Sequence, residues 1–167
     1  MIAAARVVVV GGGIAGVSTL YHLTRHGWSD VALVEASELT SGSTWHAAGL
    51  CTQFIQSLNL MKLLRTSIEL YGALEEETGL PVDFHNCGSV RIATTHDRLH
   101  QFEHVRGIAE SVGVPFEIVS AERTLELFPL ARCDDVLAAA YLPTDGHVDP
   151  TSLTNALAKG EIGRSVV

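Results

Sequence analysis

Gly11, Gly13 and Gly16 stand in the order G-x-G-x-x-G, and an acid, Glu35, follows about twenty residues on. Spacing of this kind suits pyrophosphate chemistry, because each glycine removes a Cβ where the chain has a separate task. Gly11 permits a tight turn, Gly13 lets the main chain approach phosphates, and Gly16 lets a helix lie close to the strand before it. The helix opening at Ile14 and Ala15 would aim unpaired N–H groups and the positive end of its dipole at the anion. Glu35 is placed to accept from a ribose hydroxyl, and its charge disfavours a 2′-phosphate. Read alone, three glycines are also the mark of a flexible loop, and together with Glu35 they do not separate NAD from FAD.

The elements that must position these residues follow from periodicity. Arg6-Val7-Val8-Val9-Val10 is a β-branched run of the kind that forms a buried parallel strand. From Ile14 to His26 the apolar residues recur at helical spacing and Gly27 supplies the stop, and Val31-Ala32-Leu33-Val34 reads as a second strand. Strand, turn, helix and strand make a βαβ unit. Ser37 to Thr52 reads as loop with a short helical turn, and Leu58 to Thr78 as a helix ended by Gly79-Leu80-Pro81.

Beyond Pro81 the pattern becomes mixed. Strands are expected at Val82–His85 and Ser89–Ala93, on either side of Asn86-Cys87-Gly88, and at Phe116–Val119 and Val136–Leu142. Helices are expected at His96–Val112, Ala121–Phe128 and Asp149–Lys159, the last with Pro150 in its first turn. The expected fold is α/β. It comprises a nucleotide-binding segment over 1–80, the start of a mixed α+β substrate domain over 81–149, and a returning helix over 150–167.

Composition narrows the function classes. With 47% hydrophobic and 18% charged residues in 167, the chain is an ordinary core-forming sequence. A net charge of -8 argues against a nucleic-acid partner, which would need a basic patch to displace counterions. Cys51, Cys87 and Cys133 are too far apart for a CxxC pair, and their odd number fits no closed disulfide framework. A reducing compartment is expected, cytoplasmic or, in a eukaryote, the mitochondrial matrix. Arg6 and the glycines interrupt the apolar stretch from Ile2 to Leu20, so neither a signal segment nor a membrane span is expected there.

Downstream of Glu35 the sequence runs Ala36-Ser37-Glu38-Leu39-Thr40-Ser41-Gly42-Ser43-Thr44-Trp45-His46-Ala47-Ala48-Gly49-Leu50. Small and hydroxyl-bearing residues suit a backbone that passes close to a ligand and donates hydrogen bonds to it. This block, the fingerprint Val7 to Gly16, and Tyr141-Leu142-Pro143-Thr144-Asp145-Gly146-His147-Val148-Asp149-Pro150 resemble the D-amino-acid-oxidase-like FAD proteins, and most closely their dimethylglycine and sarcosine dehydrogenase group. The resemblance runs essentially to Lys159, and Ser-Gly-Ser-Thr-Trp-His is its most specific part.

The resemblance implies FAD as cofactor, bonded covalently through His46 to the flavin. A neutral imidazole is a competent nucleophile for that bond. Read without the resemblance, His46 packs beside Trp45 and hydrogen-bonds the loop. The resemblance also places Glu35 and Ala36 by the adenosine end, Ser41, Gly42, Ser43 and Thr44 by the pyrophosphate and ribityl chain, and Ala48, Gly49 and Leu50 by the isoalloxazine.

The implied reaction is oxidation of an N-methyl amine such as dimethylglycine or sarcosine. A hydride equivalent passes from the C–H beside nitrogen to the flavin, and the resulting iminium hydrolyses to formaldehyde and the demethylated amine. The family continues with a third parallel strand and a segment closing over the flavin. Ile162 to Val167 would supply at most the beginning of that strand, so a complementary chain or C-terminal half is expected, and with it the proton-handling residues; no catalytic residue is assigned. The electron acceptor is open. A non-catalytic flavin-binding regulatory subunit, or an inert fragment, is the rival expectation.

Other constellations carry less. His96, His100 and His104 recur at i, i+4 and i+8, but charged residues are interspersed and one straight helix offers no closed tetrahedral shell, so no metal is assigned. Glu75-Glu76-Glu77 reads as a solvated helix end. Asp145 reads as a turn aspartate serving its local backbone rather than as an acid–base partner of His147. No serine has nucleophile-elbow context.

Overall fold

A computed structural model describes residues 4–160. By their contacts, residues 4–50, 70–84 and 148–160 form one compact unit and residues 51–69 and 85–147 another. The chain crosses between the two units after residues 50, 69, 84 and 147. The excursion of residues 51–69 had no counterpart in the sequence, because the unbroken periodicity of one long helix runs through it.

In the first unit, β1 (Val7–Val10) pairs in parallel with β2 (Val31–Val34), Val7 opposite Val31 and Val10 opposite Val34. Between them α1 (Ile14–Arg25) buries Val17, Leu20 and Tyr21. The last helix among the described residues, which starts at Pro150 and ends at Lys159, packs on α1 and buries Leu153, Ala156, Leu157 and Ala158. Asp149 caps it by accepting from Ser152 N–H at 2.6 Å, which explains why the helix begins one residue later than its polar cap.

Val10 on β1 is 81% exposed and Val8 is 51% exposed. They alternate with Val9, which faces α1 close to Gly16. A parallel strand ordinarily has both faces covered. Here one face of β1 meets solvent with apolar side chains.

The second unit contains the antiparallel sheet β4-β6-β5, formed by β4 (Ser89–Ala93), β5 (Glu117–Val119) and β6 (Ala138–Leu142); a short strand β3 (Leu50–Cys51) and helix α2 (Leu58–Thr78) precede it in the chain. Ala93, Ala140 and Leu142 pack with Phe102, Val105 and Ala109 of α3 (His96–Val112) and with Met61. Thr95 caps α3 by accepting from Arg98 N–H, and Gly113 ends it at φ 78. The second unit also holds α4 (Ala121–Leu127) and β7 (Gly146–His147), and the terminal helix is then α5 (Pro150–Lys159).

Four expectations need correction. Val82–His85 is not a strand: Asp83 sits at φ 55, which breaks the extended run, and only His85 makes an isolated bridge, to His147. The strand expected from Val136 begins at Ala138, since Val136 N–H closes a turn onto the Cys133 carbonyl. Glu75-Glu76-Glu77 is not merely solvated. Glu77 accepts from the Tyr21 hydroxyl at 2.9 Å and pairs with Arg25, while Glu75 accepts from Val82 N–H at 3.3 Å.

Asp145 serves much more than its own turn. Fully buried, its carboxylate accepts from Ser89 Oγ at 2.6 Å, Thr52 Oγ1 at 2.8 Å and Gln53 N–H at 2.9 Å. A buried carboxylate needs several donors, and a local turn could not supply them. Arg91 donates to the same Thr52 hydroxyl at 3.1 Å and lies over the Phe54 ring.

Among the described residues no helix is long and apolar enough to cross a membrane. The strand start expected at Ile162 to Val167 lies outside the described residues.

Candidate cofactor site

The turn between β1 and α1 has the geometry its glycines require. Gly11 takes φ 108, a conformation closed to residues with a Cβ, and its N–H donates to the Val34 carbonyl at 2.8 Å, tying the turn to the end of β2. A Cβ on Gly16 would lie 2.0 Å from the Gly11 carbonyl oxygen, so only glycine lets α1 start this close to β1. Gly13 is the N-cap of α1 and has no side chain to cover the helix end, and no acid occupies the first turn. The Ile14 N–H, expected to be unpaired, is taken by Thr44 Oγ1, and the amides that follow it are presented to an anion in the field of the helix dipole.

Gly12, which the spacing did not single out, joins the turn to the acid. Its N–H donates to Glu35 Oε2 at 2.5 Å, and Ser37 N–H donates to Oε1 at 2.9 Å. These backbone donors, Gly12 foremost, hold the Glu35 carboxyl below its ordinary value of 4.5 against a smaller opposing effect of burial. The acid is therefore charged at neutral pH and oriented. A carboxylate has about four acceptor positions, so two amides leave room for sugar hydroxyls.

The Ser41 to Leu50 block returns to the same turn. Thr40 is buried at φ 69, and its N–H donates to the Gly12 carbonyl at 3.0 Å. Ser41, Gly42 and Ser43 are exposed, and a single helical turn, Ser43–His46, follows. Thr44 is buried within it, and its Oγ1 accepts from Ile14 N–H, the first amide of α1, at 3.0 Å. A Cβ on Gly13 would lie 2.9 Å from that oxygen.

His46 is exposed and stacks on Trp45, with ring centroids 4.1 Å apart. Trp45 is 59% exposed and Leu50 is 75% exposed, while Ala36 and Ala48 are also open. Gly49 adopts φ 70; its carbonyl accepts from Val148 N–H at 2.9 Å, and a Cβ there would lie 2.0 Å from the Val148 carbonyl oxygen.

All the residues proposed from sequence lie in one unit, and around the α1 N-terminus hydrogen bonds tie Glu35 and Thr40 to Gly12, and Thr44 to Ile14. Open amides at a helix start, an oriented carboxylate beside them and an exposed small-residue loop ending in an accessible imidazole are the donor set a flavin dinucleotide needs. On this geometry FAD fits. Gly12, Thr40 and the Gly49–Val148 tie were missed in the sequence. Gly12 carried a visible signal, as an extra glycine inside the motif; Thr40 carried none.

The model of the FAD dependent oxidoreductase family DAO matches residues 6–164. The chain is 51% identical over 156 residues to the mitochondrial dimethylglycine dehydrogenase of Rattus norvegicus, covering 93% of this chain and 18% of that protein. It is 38% identical over 161 residues to the mitochondrial sarcosine dehydrogenase of Homo sapiens, covering 96% of this chain and 18% of that one. Among solved structures it superposes on L-proline dehydrogenase from P. horikoshii with a TM-score of 0.92 at 28% identity, covering 100% of this chain and 44% of that chain. The chain thus spans about a fifth of the length of these curated relatives.

Proposed function

Since this chain belongs to the DAO family of FAD-dependent oxidoreductases, we propose that it is the FAD-holding part of an enzyme that oxidises N-methyl amino acids such as dimethylglycine or sarcosine. The observation that carries the reading is the bond from Ile14 N–H to Thr44 Oγ1, which brings the Ser43–His46 turn onto the N-terminus of α1. Gly11, Gly13 and the amides of Ala15 and Gly16 would hold the pyrophosphate, with Ile14 acting through Thr44, to which its N–H donates. Glu35 would accept from the adenosine ribose, with Ala36 beside it. Ser41, Gly42, Ser43 and Thr44 would line the path of the ribityl chain, with Ala48, Gly49 and Leu50 by the ring.

Bound FAD supplies the electron-pair acceptor for the C–H beside the amine nitrogen. The protein's own part is to bind and orient. The charged Glu35 sets the adenosine end, and Thr44, by accepting from Ile14, keeps its hydroxyl proton available for a phosphate oxygen. His46, exposed at the end of the turn, would form the covalent tether. Such a bond would retain the cofactor and raise its affinity for electrons. No side chain among residues 4–160 is assigned as proton acceptor. The electron acceptor would be either oxygen or an electron-transfer protein. Cys51, Cys87 and Cys133 form no disulfide, which suits a reducing compartment, cytoplasmic or the mitochondrial matrix.

The test is reconstitution of the purified chain with FAD, followed by denaturation in acid. Flavin absorbance should remain with the polypeptide, and His46→Ala should release it while still binding FAD before denaturation. A chain that stays colourless after reconstitution overturns the flavin reading. Bleaching by dimethylglycine or sarcosine, once the rest of the enzyme is supplied, tests the substrate class separately.

A further inference from the structure

His85 and His147 oppose each other across an antiparallel bridge. His85 N–H donates to the His147 carbonyl at 2.8 Å, and His147 N–H donates to the His85 carbonyl at 3.1 Å. The approach depends on Gly146, where a Cβ would lie 2.1 Å from the His85 carbonyl oxygen. The His85 side is held again just beyond the bridge. Gly88 N–H donates to the Asp145 carbonyl at 2.8 Å, and the Asn86 amide donates to the carbonyls of Pro143 and Asp145 at 3.0 and 2.9 Å.

Opposed residues of an antiparallel pair project to the same side. The two imidazoles accordingly lie next to each other, ring centroids 4.9 Å apart and planes inclined by 32°, with both residues exposed. The backbone is thus pinned while the rings are reachable from solvent.

Neutral imidazole nitrogen suits zinc, nickel and copper, whereas magnesium and calcium prefer oxygen. Metal–nitrogen bonds of about 2.0–2.1 Å in a tetrahedral shell put two ligand nitrogens roughly 3.3 Å apart. The rings stand somewhat wider and nearly stacked, so each must turn about χ2, a broad torsion for histidine, to aim one nitrogen at a common point. Each ring has a second nitrogen, so a hydrogen bond at one leaves the other able to ligate.

We propose that His85 and His147 form a two-point chelate for a divalent transition metal ion of the imidazole-preferring class, with water completing the shell. Among the described residues no group of three histidine, cysteine or acidic side chains gathers round a common point. The site therefore takes its metal exchangeably rather than as a closed structural centre. Asp145, although next to Gly146, is committed to Thr52, Gln53 and Ser89 and supplies no ligand. The inference does not depend on the flavin reading.

Titrating zinc chloride into the tag-free 167-residue chain, by calorimetry with the histidine ring signals followed by NMR, tests it. One saturable equivalent is expected, with the signals of His85 and His147 moving together. His147→Ala and His85→Asn should each weaken binding by more than about tenfold, the least that even a metal's outer partners cost when removed. His100→Ala, on the exposed α3 stripe, should leave it unchanged. Absence of saturable binding, binding that survives both His147→Ala and His85→Asn, or binding lost only in His100→Ala would each overturn the proposal.

Discussion

Thr44 Oγ1 accepts the first amide of α1, from Ile14, at 3.0 Å, so a residue of the loop after β2 caps the helix that follows β1. One hydroxyl serves both the fold and the candidate cofactor site. Thr44→Val keeps the shape and removes the acceptor. Loss of a buried partner should cost about 1–3 kcal/mol in urea unfolding, together with weaker FAD retention, while Thr44→Ser should keep most of both.

Gly16→Ala tests the close approach of α1 to β1. The added Cβ would lie 2.0 Å from the Gly11 carbonyl oxygen, a backbone atom that cannot swing aside. The expected destabilisation is about 1–3 kcal/mol or more, with loss of FAD binding in fluorescence titration because the turn itself must move. Gly72→Ala, in open space on α2, should be neutral or stabilising and serves as the control.

Asp145→Asn should be far more damaging than the sequence of its turn suggests. An amide cannot accept all the bonds that Ser89, Thr52 and Gln53 donate to the carboxylate, and its own N–H₂ would face donors. Thermal melting should show a loss of roughly 1.5–3 kcal/mol or more.

Glu35 gives the candidate site a pH signature. Its carboxyl is held below 4.5 in the folded chain by Gly12 and Ser37, so the unfolded state binds the proton more readily. The stabilisation is complete above that ordinary value and is lost as pH falls from 4.5 toward the depressed one. Unfolding curves of wild type and Glu35→Gln should therefore be separated at pH 6 and converge on acidification; parallel curves would contradict the assignment.

The uncovered face of β1 carries a solubility prediction. Val10 and Val8 are exposed on a strand type that is normally covered, so the isolated chain should self-associate. Val10→Lys should lower the weight-average mass seen by sedimentation without changing the fold by circular dichroism.

Much of this was readable because local signals agreed with tertiary needs. The fingerprint, both strands of the βαβ unit and the limits of α2 and α3 follow from β-branched runs, helical spacing and glycine stops. The Val82–His85 error has a local cause: alternation suggested a strand, but Asp83 turns left-handed and the partner of His85 lies far along the chain. Asp145 was misread for a similar reason. Its donor at Gln53 is 92 positions away, and no pattern within a window shows that. At the candidate site, residue types and spacing identified the glycines and Glu35, whereas the bond between Ile14 and Thr44 required the fold.

The tie between Gly49 and Val148 has a consequence for biosynthesis. The nucleotide-binding unit is built from chain segments separated by nearly the whole of the other unit, and α5, which packs on α1, is its last helical piece among the described residues. During translation β1, α1 and β2 emerge well before α5 and cannot complete the core they share with it until α5 has left the ribosome, because contacts of such long sequence separation close late. The nascent glycine turn therefore waits, half-assembled, through the synthesis of about a hundred residues, a window in which chaperone binding or early capture of the dinucleotide would decide the yield of native protein.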